Sequence, residues 1–518
     1  MTKNITILWA DDEIDLLKPH ILFLEEKGYV VHTNNNGEDA IDSVKTSEFD
    51  IIFLDENMPG LSGLEVLERI KTMQPHTPVV MITKNEEETI MDEALGSKIA
   101  DYLIKPVNPN QILLTIKKNV DTKRLISEKT TSKYQTEFSK IGIQINERLD
   151  WESWIEVYKK LVYWEIELGE TGEAAMDEVF KMQKKDANVN FSRYIRSVYT
   201  DWFAKDQPER PLLSKDVFKH RVFPKLKTGH PVVVFIVDNL RYDQWKVMEG
   251  LLQELYTVEE ELYCSILPTA TQYARNAMFA GLMPLEISRM HPDLWVADYD
   301  EGGKNMHEKE LLQAQLDRNN LNIKLMYEKI NNNRNGNKLA ENPKQLLAND
   351  LSVLVFNFVD MLSHSKTEMK MIKELAADEA AYRSLTLSWF QHSPLLDLLR
   401  ELASYKVQVV ITTDHGTIRV QDPVKVIGDR FTTTNLRYKQ GRNLNYNPKE
   451  VFEIKEPSHV HLPKPNVSTR YIFAQGEDFF AYPNNYNHYV KYYRDTFQHG
   501  GISLEEMIIP LISMVPKA

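Results

Sequence analysis

Ile51-Ile52-Phe53-Leu54-Asp55 is a run of four apolar residues closed by a carboxylate, with Asn57 and Met58-Pro59-Gly60 just beyond it. A short apolar run of this kind reads as a strand buried on both faces. The acid at its carboxyl end reads as a group presented at the rim of a sheet, where open α/β folds bind their ligands. The pattern repeats on either side. Ile5-Thr6-Ile7-Leu8-Trp9 leads through Ala10 to Asp11 and Asp12, Pro78-Val79-Val80-Met81-Ile82 ends at Thr83, and Tyr102-Leu103-Ile104 ends at Lys105-Pro106. Amphipathic segments such as Gly63 to Met73 lie between these runs. Buried strands alternating with helices predict a doubly wound α/β domain with a parallel sheet over residues 1–120.

Beyond it the pattern changes twice. Residues 121–207 are rich in Lys, Glu, Leu and Ile, with Trp151, Trp154, Ile155, Tyr158, Leu161 and Val162 at helical spacing. Such a stripe predicts the core of a helical bundle linking two domains. From 208 to 518 the α/β alternation returns. Val232–Val237 reads as a fully buried strand, and Val353–Val359 and Val407–Thr412 as mostly buried ones. Residues 425–470 read as a loop-rich excursion in which Arg430, Arg437, Tyr438, Lys439 and Arg442 mix cations with an aromatic. That mixture suits a nucleotide-like ligand, though a solvated cap loop explains it as well.

The chain's 518 residues suggest about three domains at roughly 150 residues each. Hydrophobic and charged fractions of 42% and 26% are those of a folded globular protein and exclude a disordered or collagen-like chain. The net charge of −13 argues against coating a nucleic-acid backbone, which needs excess Lys and Arg. The single cysteine, Cys264, reads as a small buried residue and fits a reducing compartment. No apolar run approaches the roughly 20 residues of a membrane span. A cytoplasmic protein is expected.

Two sets of residues carry chemistry. In the first, Asp11, Asp12 and Asp55 meet at one sheet edge. Converging carboxylates repel unless a cation sits among them, and Mg²⁺ prefers such oxygen ligands. Thr83 can donate to a phosphoryl oxygen there, and Lys105 can place an ammonium beside it. Metal and lysine neutralise an incoming phosphoryl group that a carboxylate attacks. Mere capping of strands by acids is the bland alternative.

In the second set, Asp238 follows Val232–Val237, Asp360 ends Val353–Val359, and Asp414-His415-Gly416 closely follows Val407–Thr412. Asp360 and His364 stand four residues apart, on one helical face. His499-Gly500-Gly501 lies near the C-terminus. Asp and His together favour Zn²⁺ or Mn²⁺ over Ca²⁺. Two such ions stabilise the attacking and leaving oxygens of an in-line displacement. Thr271 is the candidate nucleophile, and Arg275 and Asn276 are candidate contacts to phosphoryl oxygens.

The first set resembles the receiver domain of two-component response regulators. That resemblance implies Asp55 as phosphoacceptor and a Mg²⁺ bound by Asp12, Asp55 and the backbone carbonyl of Asn57, with Asp11 acting through water. It implies Tyr102 as an aromatic switch that turns inward with Thr83, a histidine kinase as partner, and dimerisation on phosphorylation. The second set, with Ile502-Ser503 through Glu505 and Pro510, resembles the alkaline phosphatase superfamily and within it the PglZ domain. There the resemblance implies one zinc on Asp360, His364 and His499, and another on Asp238, Asp414, His415 and Thr271. The whole arrangement is similar to PorX-type response regulators, which implies regulation of type IX secretion and links to a sigma factor and to the secretion machinery. The expected function is a response regulator whose output domain hydrolyses nucleotide-like phosphodiesters. A metal-stapled docking module without turnover is the alternative. A direct DNA-binding regulator ranks lower, since no helix-turn-helix signature follows the receiver.

Overall fold

The computed structural model describes residues 5–74, 77–84, 99–169, 171, 174–204, 210–298, 300, 302–368, 378–429 and 431–517, with backbone alone for 121–129 and 364–368. The chain forms two compact units, Met1–Gln135 and Thr136–Ala518. Among the described residues no helix is long and apolar enough to cross a membrane.

In the first unit, β1 (Thr6–Ala10), β2 (Val30–Asn34), β3 (Ile51–Asp55), β4 (Val79–Thr83) and β5 (Asp101–Ile104) make a parallel sheet in the order β2-β1-β3-β4-β5. Strand side chains alternate between faces. Leu8, Ala10, Ile52 and Leu54 therefore pack with Val66 and Ile70 of helix Gly63–Met73. Ile7, Trp9, Ile51 and Phe53 pack on the opposite face with Ile112 and Ile116 of helix Pro109–Ile116. Both faces are covered, which is why these strands read as continuous apolar runs. The edge strand β2 buries none of its residues, and no apolar run announces it.

In the second unit, helices Trp151–Gly169 and Ala174–Val198 pack against the described end of helix Thr122–Ile145. The predicted stripe is the bundle core: Trp151, Trp154, Ile155, Tyr158, Leu161 and Val162 are all buried. Trp154 meets Phe191 edge-on at 5.4 Å, and Trp151 meets Trp202 at 5.9 Å. Trp154→Ala would empty the centre of this cluster and is expected to cost about 3–5 kcal/mol. Chemical denaturation of the two proteins measures it.

The remainder is built on a mixed six-stranded sheet. Its strands β6 (Val232–Val237), β7 (Tyr256–Cys264), β8 (Leu325–Ile330), β9 (Leu351–Phe356), β10 (Gln408–Thr412) and β11 (Ile508–Pro516) lie in the order β7-β11-β10-β6-β9-β8. The four strands β10, β6, β9 and β8 are parallel, whereas β11 runs antiparallel to both its neighbours. The expected parallel edge therefore exists in the half that carries Asp238 and Asp414. Cys264 is buried, as expected.

Three details differ from the sequence reading. Strand β9 stops at Phe356, so Asp360 sits in the first turn of helix Phe358–Glu368 and not at a strand end. Phe358 and Val359 continue the apolar run in sequence, but on a helix, with Val359 buried and Phe358 half-buried; periodicity cannot tell a short strand from a helical turn. The 425–470 excursion holds a three-stranded antiparallel sheet, Tyr438–Gly441, Phe452–Ile454 and Arg470–Phe473, on its own small core. Within it Arg437 is wholly buried and paired with Glu506 at 2.6 Å, so it is no solvated cation; Arg430 lies outside the described residues.

Candidate functional site

At the carboxyl edge of the first sheet, Asp11 follows β1 and Asp55 ends β3. Both are buried, while Asp12 is exposed. One oxygen from each of the three lies within 4.8 Å of the others, a set that could hold a cation. Lys105 Nζ reaches Asp11 Oδ2 at 2.9 Å and Asp55 Oδ2 at 3.0 Å. Burial, with the neighbouring Asp11, raises the Asp55 carboxyl to about 6 although Lys105 opposes the shift. Burial also opposes the Lys105 charge, yet its bonds to Asp11 and Asp55 hold its pKa above the usual lysine value. Asp55 Oδ1 is buried with no hydrogen-bond partner. An orphaned carboxylate oxygen beside two further acids fits a hard divalent ion. Thr83 is buried at the end of β4 in register with Ile104, Tyr102 is exposed on β5, and Asn57 lies in the loop after β3.

The second centre lies at the carboxyl edge of the parallel half of the larger sheet. Asp238 directly follows β6, and Asp414 lies two residues after β10, both fully buried. Asp238, Asp414 and His415 each offer a ligand atom within 4.8 Å of the others. His415 Nε2 stands 3.9 Å from Asp238 Oδ1 and 3.7 Å from Asp414 Oδ2. Thr271, at the start of helix Thr271–Ala280, has its Oγ1 at 3.0 Å from His415 Nε2 and 3.5 Å from Asp238 Oδ1. His499 stacks on His415 with centroids 4.2 Å apart, and its Nε2 lies 3.8 Å from Asp360 Oδ1. The backbone of His364 lies one turn beyond Asp360 on the same helix; its side chain lies outside the described residues.

The two imidazoles share one orientation. His415 Nδ1 lies 3.1 Å from the carbonyl of Gly416, and His499 Nδ1 lies 3.2 Å from the carbonyl of Thr269. A carbonyl can only accept, so each Nδ1 carries the proton and each Nε2 turns a lone pair toward the carboxylates. This is how proteins orient metal-ligating histidines. Asp414 Oδ2 is buried without a hydrogen-bond partner. Burial and the Asp238 charge raise the Asp414 carboxyl above its usual value. Burial pushes Asp238 the same way, but the Arg275 guanidinium beside it holds its pKa low. The donor set and the orphaned oxygen fit a borderline cation such as Zn²⁺.

Glycine is required at two points. Gly416 brings its backbone so close to Glu505 that an added Cβ would lie 2.0 Å from the Glu505 carbonyl oxygen. Gly500 has φ +123°, and a Cβ there would meet Tyr438 at 2.7 Å. Gly416→Ala must push the turn carrying His415 away from Glu505. An overpacking cost of about 1–3 kcal/mol is expected, read as a lower melting temperature.

Arg275 and Asn276, the candidate contacts to phosphoryl oxygens, are both buried. The Arg275 guanidinium is buried behind the carboxylates, 2.6 Å from Asp238 Oδ2 and 2.7 Å from Glu308 Oε1. Asn276 is buried too; it donates to the carbonyl of Lys304 at 3.1 Å and accepts from Asn305 at 3.2 Å. Arg275 thus braces Asp238, and Glu308, which no sequence pattern singled out, braces Arg275. Asn239 also escaped the sequence reading. It has φ 65°, donates its N–H to Asp414 Oδ1 at 3.4 Å, and donates its side-chain amide to Ser363 Oγ at 3.1 Å and Asp360 Oδ1 at 3.4 Å. An Asn directly after a strand-end Asp is its signal, because Asn tolerates the left-handed conformation. His459 and His461 flank Val460 at the end of a 3₁₀ turn.

Compared with known proteins, residues 217–514 match the family described as the BREX system PglZ alkaline phosphatase-like domain. Residues 124–203 match the PorX response regulator linker domain, and residues 7–117 match the response regulator receiver domain. Among curated relatives, the transcriptional regulatory protein ZraR of Klebsiella oxytoca is 32% identical over 140 residues, 27% of this chain and 32% of that protein. The transcriptional regulatory protein ResD of Bacillus subtilis (strain 168) is 32% identical over 116 residues, 22% of this chain and 48% of that protein. The chain thus spans between about a third and a half of these relatives' length. Among solved structures, a CheY-like receiver domain protein of Methanospirillum hungatei JF-1 is 26% identical, with a TM-score of 0.23, covering 23% of this chain and 96% of that one. The PglZ match takes in more than half of the chain and includes Asp238, Thr271, Asp360, Asp414, His415 and His499. The chain belongs to the PglZ alkaline phosphatase-like family, in the PorX-type arrangement of receiver, linker and PglZ domain.

Proposed function

We propose that this chain is a two-component response regulator with a hydrolytic output: phosphorylation at Asp55 controls the cleavage of phosphodiesters at Thr271. One observation carries the output half of this reading. Thr271 Oγ1 lies within 3.5 Å of both His415 Nε2 and Asp238 Oδ1, beside a second Asp–His pair formed by Asp360 and His499.

In this reading one Zn²⁺ is held by Asp238, Asp414, His415 and Thr271, and the other by Asp360, His364 and His499. Such ions, when bound, supply Lewis-acid charge for the attacking and leaving oxygens. The chain's own residues do the rest. His415 Nε2 and Asp238 Oδ1 stand within 3.5 Å of the Thr271 hydroxyl, so they fix where its oxygen sits and all three would face one ion. Attack of Oγ1 on phosphorus forms a phosphothreonine and breaks the bond to the first alcohol, which leaves with the proton that Thr271 gives up; water then attacks phosphorus, the P–Oγ1 bond breaks, one water proton returns to Thr271 and the phosphomonoester leaves. Arg275 and Glu308 keep Asp238 in place throughout. A nucleotide-like diester is the proposed substrate class.

At the receiver, Mg²⁺ would be held by Asp12, Asp55 and the Asn57 carbonyl, with Asp11 through water. A histidine kinase would supply the phosphoryl group, and Thr83 and Tyr102 would report it by rearranging toward a dimer-forming face. The PorX-type arrangement is the support for a role in type IX secretion and for partners such as a sigma factor and the secretion machinery. The first test is metal content together with turnover of bis-(p-nitrophenyl) phosphate by the full chain. Bound zinc and turnover are expected. Zinc that raises the melting temperature without turnover on a broad phosphoester panel would mean that the centre is a structural staple in a docking module.

A further inference from the structure

Three chain segments near the hydrolytic residues are held from outside, two by the linker directly and the third by the linker through Arg383. The first is the nucleophile loop. The wholly buried Tyr199 Oη accepts from the Leu267 N–H at 2.8 Å, four residues before Thr271. The second is the C-terminal segment that follows His499. Asn188, itself buried, accepts from the Leu504 N–H at 2.8 Å and donates to Glu505 Oε2 at 3.1 Å. Lys184 Nζ adds a bond to Glu505 Oε1 at 3.0 Å. The third is the helix Tyr242–Glu249, which follows the turn after Asp238. Asp243 accepts from Arg383 at 3.2 Å, and Arg383 in turn binds Glu165 of helix Trp151–Gly169 at 2.9 Å. Lys184 reaches the same Glu165 at 2.9 Å, which joins the second grip to the third.

Glu165, Asp243 and Glu379 are close enough to hold a cation of their own. Arg241, Arg383 and Lys184 are interleaved with them, however, and neutralise the acids from within the protein. The cluster is therefore a charge network. Buried ion pairs contribute little net stability compared with apolar residues of the same volume. What such a network does supply is defined direction: the Lys184–Glu505 and Glu165–Arg383 bonds each hold one atom of the linker against one atom of the catalytic domain. Glu505 shows the consequence. Its backbone oxygen lies so close to Gly416 that a Cβ there would not fit, and the Gly416 N–H donates to the Glu506 carbonyl at 3.3 Å. A displacement of Glu505 therefore moves the turn that carries His415.

We propose that Tyr199, Asn188 and Lys184 are positioning residues for the hydrolytic centre, so that the linker is a wall of that centre and not a spacer. The proposal rests on the hydrolytic reading above. It goes beyond that reading by placing three determinants of turnover outside the catalytic domain. Tyr199 sets the loop of Thr271, whereas Asn188 and Lys184 set the segment that packs on the His415 turn.

The test uses the full chain and three single variants. Tyr199→Phe keeps the ring and removes only the acceptor. Asn188→Ala removes the grip on Leu504 and Glu505. Phe191→Leu, in the linker core between Trp151 and Trp154, is the control for stability alone. Each is measured for kcat and KM on bis-(p-nitrophenyl) phosphate, for Co²⁺ affinity by chelator competition, and for melting temperature. Tyr199→Phe and Asn188→Ala are expected to lower kcat about tenfold or more with KM within about twofold, and Asn188→Ala to weaken Co²⁺ binding about tenfold, the scale of lost support around a metal site. Phe191→Leu is expected to lower the melting temperature and leave kcat and Co²⁺ affinity unchanged. If the two anchor variants match the wild type in both, or if Phe191→Leu lowers both as much, the linker's role is structural and the proposal is overturned. A wild-type chain that neither binds Co²⁺ nor turns over would instead remove the hydrolytic reading, and the positioning role with it.

Discussion

Thr271→Ala is expected to lower turnover of bis-(p-nitrophenyl) phosphate by roughly 10⁴-fold or more, about 5.5 kcal/mol of barrier, the scale seen when a covalent nucleophile is removed. The size follows from what the side chain does. The Thr271 hydroxyl sits between His415 Nε2 at 3.0 Å and Asp238 Oδ1 at 3.5 Å, both of which can only accept from it. Alanine leaves that arrangement intact and removes the attacking atom. Melting temperature should change little, because the side chain is only half-buried. Thr271→Ser keeps the hydroxyl and should retain measurable activity. Activity in the alanine variant equal to that of the wild type would falsify covalent catalysis at this residue. Chelation is a separate control: it should abolish turnover and also lower the melting temperature, since among the described residues it leaves the buried Asp238 and Asp414 carboxylates with Arg275 as the nearby arginine or lysine.

With Mg²⁺ and beryllofluoride or acetyl phosphate, the wild-type chain is expected to shift from monomer to dimer in sedimentation, and Asp55→Ala is expected to show no shift at all. In the structure Lys105 is shared between Asp11 and Asp55. A phosphoryl group on Asp55 adds anionic oxygens at the same place and competes for that ammonium, so Lys105 and Thr83 must rearrange around it. Tyr102, exposed on β5, has room to follow. The reaction should also depend on pH. Asp55 must be ionised to attack, and burial beside Asp11 raises its pKa to about 6. Phosphorylation from acetyl phosphate should therefore fall as the pH drops through about 6, and saturating Mg²⁺, which favours the carboxylate, should move that fall to lower pH. An identical sedimentation profile with and without beryllofluoride would separate phosphorylation from dimerisation.

Much of the fold could be read without coordinates where burial leaves a mark on composition. β1, β3, β4, β6 and most of β10 are buried on both faces, so each is a run of apolar residues. Strand β2 is an exposed edge and leaves no such mark. The boundary between β9 and the helix of Asp360 was missed because the apolar run crosses it while the backbone changes direction at Asn357. The small sheet within 425–470 was missed because its strands are only three or four residues long.

The candidate sites divide in the same way. Asp11, Asp55, Asp238 and Asp414 stand at or just beyond strand ends, and strand ends are visible as the last apolar residue before a polar one. The sequence by itself determined that two sheets exist, that each carries carboxylates at its carboxyl edge, and that imidazoles and a threonine accompany one of them. Only the tertiary structure decided which way each group faces. It placed Arg275 behind Asp238, turned both histidines so that Nε2 faces the carboxylates, and brought Tyr199, Asn188 and Lys184 of the linker against the segments that hold Thr271 and His415. The physical reason is range. Burial and strand period are local and are written in neighbouring residues. The partner of a buried charge is set by whichever distant element packs against it, and Lys184 lies hundreds of residues before Glu505 in the chain yet pairs with it directly.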